Sequence, residues 1–271
     1  MSKVYISADL EGVNGVVYPN QVEPSGEGYK YARKQQIKEL NCIIEALINA
    51  GASHITLNDA HGSMDNIILA ELNPQTELIT GKPKPVSMLT GLDESYDCVI
   101  FTGYHARAGS TKGVLAHTFS PLYKDIKLND VSVGEIELNA IYAGLKNVPV
   151  VLVTGDYDAC EQAKAVLKTV NTVSVKKAVT TTAAICRKQD ELLQELRETT
   201  LMTINNLKSF QPYKIDFPYK LELEFLDRRH ADLAELLPGT DRNSGTNIVY
   251  KSNNFEDIYK IIQFLTAAFS K

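Results

Sequence analysis

Residues 3–12 read KVYISADLEG: an apolar run, Lys3 to Ala8, rich in β-branched and aromatic side chains, followed by Asp9-Leu10-Glu11-Gly12. Such a run predicts a buried strand, and the Gly/Pro/Asn-punctuated stretch to Gly28 predicts a long loop after it. Downstream, Ile37, Leu40, Ile44, Leu47 and Ile48 keep helical spacing between Tyr29 and Ala50, and Gly51 stands where a left-handed C-terminal cap is expected. Strands follow at His54–Asn58, Asp97–Thr102 and Val148–Thr154, with helical patterns between several of them. Strands alternating with helices pair in parallel, so the fold class expected is α/β, a three-layer α/β/α core around a largely parallel sheet.

The remaining segments are more varied. Pro74, Gly81, Pro83, Pro85 and Gly91 break the pattern between Gly62 and Ser95, which predicts short elements and loops there. Residues 124–133 suggest a hairpin turning at Asn129-Asp130, followed by a helix from about Glu135 to Leu145. After a strand-like 171–178 come a charged helix near 189–197, a strand at Leu221–Phe225, a helix at Asp232–Leu237 and a strand at Asn247–Lys251. A final helix spans Phe255–Phe269, with Ile258, Ile261, Ile262 and Leu265 on one face. The expected division is an α/β catalytic and metal-binding domain over 1–165 and a smaller α+β domain over 166–271, with room for the two to interleave.

Composition narrows the partners. The chain has 271 residues, 44% apolar and 23% charged, the balance of an ordinary globular protein. Its 28 Lys and Arg against 33 Asp and Glu leave a net charge of -5, with no basic excess for a phosphate backbone, so no nucleic-acid partner is expected. Cys42, Cys98, Cys160 and Cys186 show no C-x-x-C spacing, which fits a reducing, cytoplasmic compartment. The N-terminus lacks the apolar core of a secretory signal, and no stretch reaches the roughly 18 apolar residues of a membrane span, so neither export nor membrane insertion is expected.

Chemistry concentrates after the strands. Asp9 and Glu11, two apart at the carboxyl end of the first strand, project to one side if the extended conformation persists. Two carboxylates held close repel unless a cation or proton stands between them, although the pair also reads as two solvated loop acids. His61 follows the second strand in Asn58-Asp59-Ala60-His61-Gly62, and His105 follows a later one in Thr102-Gly103-Tyr104-His105-Ala106. Ligands of open α/β sheets bind beyond the carboxyl ends of the strands, so these residues can converge on one crevice. Glu135 opens a helix, where the helix dipole alone favours a carboxylate. His117 sits in a Gly-containing loop and reads equally as a structural histidine; Arg107 and Lys112 make that loop positive, for a substrate carboxylate or for solvation.

Three carboxylates with two or three imidazoles suit zinc, or manganese or another first-row ion, whereas magnesium and calcium do not call for imidazoles. Two divalent ions facing Asp9, Glu11 and Glu135 leave a net attraction for a bridging hydroxide or a substrate oxygen. Rival chemistries lack their signatures: there is no G-x-S-x-G, no Walker loop and no G-x-G-x-x-G after a strand, and Cys42 and Cys98 read as buried apolar-run residues.

Five ordered motifs resemble those of the M55 metallopeptidases, the D-aminopeptidases also known as the dipeptide transport protein family. They are Asp9-Leu10-Glu11-Gly12-Val13-Asn14-Gly15, Asn58-Asp59-Ala60-His61-Gly62, Gly103-Tyr104-His105-Ala106-Arg107-Ala108-Gly109, Gly113-Val114-Leu115-Ala116-His117-Thr118 and Gly134-Glu135-Ile136-Glu137-Leu138-Asn139. They cover about the first 155 residues; the last third matches only in general pattern.

The resemblance implies two zinc ions per chain, with Asp9 at the position of the bridging carboxylate and Glu11, His61, His105 and Glu135 at the other ligand positions. It implies that His117 is the catalytic histidine, and that the chain forms a homo-oligomer, a ring-stacked decamer. The implied activity is hydrolysis of the N-terminal peptide bond of short peptides, with a preference for D-residues. Asp59 or Asn58 is the candidate to orient the His61 ring. The alternatives are a metal-dependent hydrolase of another small amide or a phosphoester, and a non-catalytic dipeptide-binding protein.

Overall fold

The opening apolar run is strand β1 (Ser2–Ala8) of the computed structural model, which describes residues 2–269. The chain continues through α1 (Tyr29–Asn49), β2 (Ala52–Asp59), β3 (Glu77–Ile79), β4 (Cys98–Tyr104), β5 (Tyr123–Leu128) and β6 (Val131–Ser132). Next come α2 (Glu135–Leu145), β7 (Val150–Asp156), α3 (Tyr157–Leu167), β8 (Asn171–Thr180), β9 (Ala183–Cys186) and α4 (Gln189–Asn205). The last elements are β10 (Tyr219–Phe225), α5 (Arg228–Ala234), β11 (Thr240–Arg242), β12 (Asn247–Ser252) and α6 (Phe255–Phe269).

Seven strands form one sheet in the order β3-β2-β1-β4-β7-β8-β9, parallel throughout except for the β8–β9 hairpin. Its central strands are apolar on both faces, as strands covered on both sides must be. Val4, Ile6, Cys98 and Ile100 pack against Leu40, Ile43 and Leu47 of α1 and Leu192 and Leu196 of α4. Tyr5, Val99, Phe101 and Val153 face Ile136 and Ala140 of α2 and Ala159 and Ala163 of α3. The three-layer α/β/α core expected from the strand–helix alternation is therefore present.

A second, antiparallel sheet runs β11-β12-β10-β5-β6. Strand β10 alternates buried Tyr219, Leu221, Leu223 and Phe225 with more exposed polar residues, and these four share a core with Ile258, Ile262 and Leu265 of α6. The two sheets interleave along the chain: β5 and β6 join the antiparallel sheet, while β8 and β9, later in sequence, extend the mainly parallel one. The β5–β6 turn falls at Asn129 and Asp130, whose φ of 50° and 67° are the left-handed values that a two-residue hairpin loop demands.

One helix lies elsewhere than its sequence pattern predicts, and three further elements carry no clear signal of their own. The helix expected at Asp232–Leu237 is α5, four residues earlier, because the Asp227 side chain caps it by accepting from Arg229 N–H. The three further elements are helix α3 and strands β9 and β11; β3 falls in the stretch where only short elements are expected. Among the described residues, no helix is long and apolar enough to cross a membrane.

Two glycines join the strand ends that matter most. A side chain on Gly12 would put its Cβ 1.9 Å from the Tyr104 carbonyl oxygen, and one on Gly103, at φ +69°, would come within 2.2 Å of the Asp9 carbonyl oxygen. Gly12 N–H instead donates to Gly103 O at 2.8 Å, and Asp9 N–H to Thr102 O at 2.8 Å. Strand order reverses between β1 and β4, so the segments leaving these two strands flank the crevice at the switch point.

Candidate metal centre

Asp9 and Glu11 leave the end of β1, His61 lies two residues beyond β2, His105 directly follows β4, and Glu135 is the first residue of α2. The fold brings all five together. His61 Nδ1 lies 3.3 Å from Asp9 Oδ1 and 2.9 Å from Glu11 Oε2. His105 Nε2 lies 3.4 Å from Asp9 Oδ2 and 3.5 Å from Glu135 Oε1, and His117 Nε2 lies 4.0 Å from Glu11 Oε1. Asp9, Glu11, His61, His105 and Glu135 are buried, and His117 is half-buried.

The outward nitrogens of the three imidazoles define their tautomers. His61 Nε2 is 2.7 Å from Val22 O, His105 Nδ1 is 3.0 Å from Ala106 O, and His117 Nδ1 is 2.8 Å from Leu115 O. A carbonyl oxygen only accepts, so each of these nitrogens carries the proton and each neutral ring turns its lone pair inward. Those lone pairs meet carboxylate oxygens, which are also acceptors. Asp9 Oδ2 and Glu11 Oε2 are buried with no hydrogen-bond partner. Acceptors facing acceptors in a buried pocket require a cation or extra protons between them.

The ionisation of the cluster expresses that demand. Burial works against a charged His61, yet Glu11 and Asp9 hold its pKa well above the ordinary value. His105 is likewise raised to about 10, Glu135 and Asp9 outweighing its burial. Burial and the neighbouring Glu11 carboxylate push Asp9 up to about 7. Glu11 and Glu135 are lowered: burial opposes this, but His61 dominates at the first and His105 at the second. His117 is lowered by burial and by the positive charge of His105. Protons on His61 and His105 are one way to meet that demand, and a cation is the other. Two sets of donors lie close enough to hold one: Asp9, Glu11 and His105, and His105, His117 and Glu135.

Neighbouring elements fix the segments that carry these side chains. Asp59 accepts from Asn66 Nδ2 and from Ile67 N–H, each at 2.8 Å, and Asn66 Nδ2 also donates to the His61 carbonyl at 2.7 Å. Asp59 thus shapes the chain around His61 and leaves ring orientation to Val22, which corrects the expectation that Asp59 or Asn58 orients the imidazole. Beneath His105, Tyr104 shares its hydroxyl with Ser7 and Asn139, and Asn139 accepts from Tyr259 of α6.

The cluster floors a cavity of about 740 Å³, walled by Val22, Met88, Phe119, Thr181, Thr182 and Thr266 among others. Its lysines are Lys82 and Lys84. Lys84 is committed to Asn58 Oδ1 and Asp59 O, both at 2.6 Å. Arg107 turns instead toward the second sheet, its Nη1 3.9 Å from Asp125 Oδ1, and neither it nor Lys112 lines the cavity. Nothing in the local sequence distinguished Lys82 or Lys84 from surface lysines. Cys42 and Cys98 are buried as expected, and burial raises both thiols above their ordinary pKa.

Comparison with known proteins agrees with this geometry. Residues 2–264 match the Peptidase M55 family, described as D-aminopeptidase. The chain is 33% identical over 265 residues to a D-aminopeptidase of Bacillus subtilis, covering 97% of this chain and 96% of that one. Its fold is similar to that of the solved Zn-dependent D-aminopeptidase DppA from Bacillus subtilis, a self-compartmentalizing protease. The TM-score is 0.94 and the identity 32%, with 98% of this chain and 97% of that chain covered.

Proposed function

The chain belongs to the M55 D-aminopeptidase family of metallopeptidases, and from that premise we propose that it is a zinc-dependent aminopeptidase acting on short peptides through a dinuclear site. Its reaction is hydrolysis of the N-terminal peptide bond, with preference for a D-residue at that position. The observation that carries this reading is the set of inward-facing lone pairs and unpartnered carboxylate oxygens on the cavity floor.

Asp9, Glu11, His61, His105 and Glu135 would hold the two zinc ions. The donor set fits: mixed imidazole and carboxylate groups, with each imidazole donating its outer N–H to a carbonyl, the arrangement that orients ligating histidines. Bound zinc supplies Lewis acidity, bringing a water pKa down to about 7 and polarising a carbonyl oxygen.

The chain's own residues supply positioning and proton transfer. His117 donates Nδ1–H to Leu115 O, so its Nε2 is free to take a proton from the attacking water and return it to the departing amine nitrogen. Stacking against His105 restricts the ring plane in which that transfer occurs. Apolar walls from Val22, Met88 and Phe119 exclude bulk water from the scissile bond, and about 740 Å³ suits a peptide of a few residues. A homo-oligomer, with the ring-stacked decamer as its expected form, would restrict access further; the relative described as self-compartmentalizing supports this.

Metal content per chain, followed by parallel assay of D-alanyl and L-alanyl nitroanilides and of nitrophenyl phosphate, tests the reading. Two zinc ions and release of nitroaniline from the D-substrate are expected. Cleavage of the phosphoester alone, or stoichiometric binding of dipeptides left intact, overturns it.

A further inference from the structure

The segment carrying Asp9 and Glu11 rests on a buried cation outside the ligand cluster. Lys176, on β8 opposite Asp156 of β7, is 1% exposed. Its ammonium donates to three carbonyl oxygens of the loop after β1: Val13 O at 2.8 Å, Glu11 O and Val16 O. Three N–H donors meet three acceptors, which satisfies the ammonium completely.

The same loop is held from below by α1. Gln36 Nε2 donates to Asp9 O at 2.8 Å, and Glu39 accepts from Asn14 N–H at 2.8 Å. Asn14 in turn exchanges two hydrogen bonds with the Arg187 backbone just beyond β9. Every one of these contacts is to the main chain, so none supplies a ligand. Their shared effect is to fix where the backbone places two adjacent carboxylates.

We infer that Lys176 is a positioning residue of the metal centre: by gathering the carbonyls of Glu11, Val13 and Val16 around one ammonium, it sets the place of the Glu11 carboxylate. The loop folds back so that carbonyls from three positions converge on one point, and convergent carbonyl dipoles repel without a cation among them. Removing the charge while keeping the bulk frees that convergence, and the displacement falls on Glu11 because its own carbonyl is one of the three. The inference rests on Glu11 being a zinc ligand.

The test uses the full-length zinc-loaded protein and competition with a chelator of known zinc affinity. Lys176→Met is expected to weaken binding of at least one zinc equivalent by about 10-fold to 100-fold, the range found when groups supporting a ligand are removed. A core variant of the antiparallel sheet, Ile248→Ala on β12, is the control: it lowers the melting temperature but leaves zinc affinity as in the wild type. Equal zinc affinity in Lys176→Met and wild type overturns the inference, whatever the change in melting temperature. If Lys176→Met does not fold, Lys176→Gln, which keeps two N–H donors on a shorter stem, replaces it with the same two outcomes. Failure of the wild type to bind zinc overturns the functional reading itself, so the two failures are distinguishable.

Discussion

His105 and His117 lie ring on ring, their centroids 4.1 Å apart and their planes 8° from parallel. The His105 ring turns Nε2 to Asp9 and Glu135 and the His117 ring turns Nε2 to Glu11, while His105, His117 and Glu135 also lie close enough to share one ion. His105 lies within 3.5 Å of two carboxylates, and His117 stands back at 4.0 Å from Glu11, in keeping with the proposed ligand role of the first and proton-transfer role of the second.

Replacing His117 with Ala is therefore expected to separate chemistry from metal binding. Turnover falls by about 100-fold to 10,000-fold, the usual contribution of a positioned acid–base group, while zinc content stays at the wild-type level. Elemental analysis beside steady-state kinetics checks this; loss of zinc in the variant would make His117 an essential ligand instead.

Removing the metal is expected to lower stability as well as activity. A ligand that binds only the folded state at about 1,000 times its Kd adds about 4 kcal/mol. Chelator-treated protein should melt at a lower temperature than untreated protein, and added zinc should restore both the transition and the activity. Asp9→Asn should blunt that zinc-dependent rise, since Asp9 faces both His61 and His105.

Gly12→Ala and Gly103→Ala are expected to be among the costliest small substitutions. Each new methyl would meet a carbonyl oxygen of the facing segment at 1.9 Å and 2.2 Å, so β1 and β4 must part at the site. A loss on the order of 3 kcal/mol is expected from such overpacking, measured by chemical denaturation. Gly245→Ala, where an added Cβ meets nothing, serves as the neutral comparison.

Glu39 is expected to make the folded state lose stability as pH rises. Burial raises its carboxyl from 4.5 to about 7, with Asn14 N–H and Lys176 opposing that rise. The folded state thus holds a proton that the unfolded chain releases above its own carboxylate pKa, so the contribution is full below about pH 4.5 and is lost as pH rises through about 7. Its size is on the order of 3 kcal/mol at most. Glu39→Gln, which keeps an acceptor for Asn14, should flatten the fall of unfolding free energy across that interval. An unchanged profile would mean that Glu39 is ionised in the folded protein throughout.

The parts of the fold visible in sequence were those whose signal is local. The Lys3–Ala8 run, the spacing in α1 with Gly51 after it, the Asn129-Asp130 turn and the α6 stripe each carry their own periodicity or turn chemistry. Helix α5 was displaced because its start depends on one capping side chain, Asp227, and the apolar residues beyond its end mimic a continuing helix. Asp9, Glu11, His61 and His105 were legible because they sit just past strands, where topology alone gathers them, whereas Glu135 heads a helix and His117 lies in a loop, with no such signal. Lys176 was not: on an edge-proximal strand it reads as an ordinary solvent-facing lysine, and only the path of a loop 160 or more residues away explains its burial. The cavity walls from Thr181 and Thr266 were hidden for the same reason, being set by long-range packing.

The acceptors that lock the three imidazoles, at Val22, Ala106 and Leu115, are all peptide carbonyls. Tautomer control is thereby written into the main chain, and no exchange of side chain at these three positions deletes an acceptor. Point substitution can erode it only by bending the backbone path. Alanine replacement at Val22 or Leu115 therefore removes a side chain from the cavity lining but no acceptor from a histidine, and Ala106 is alanine already.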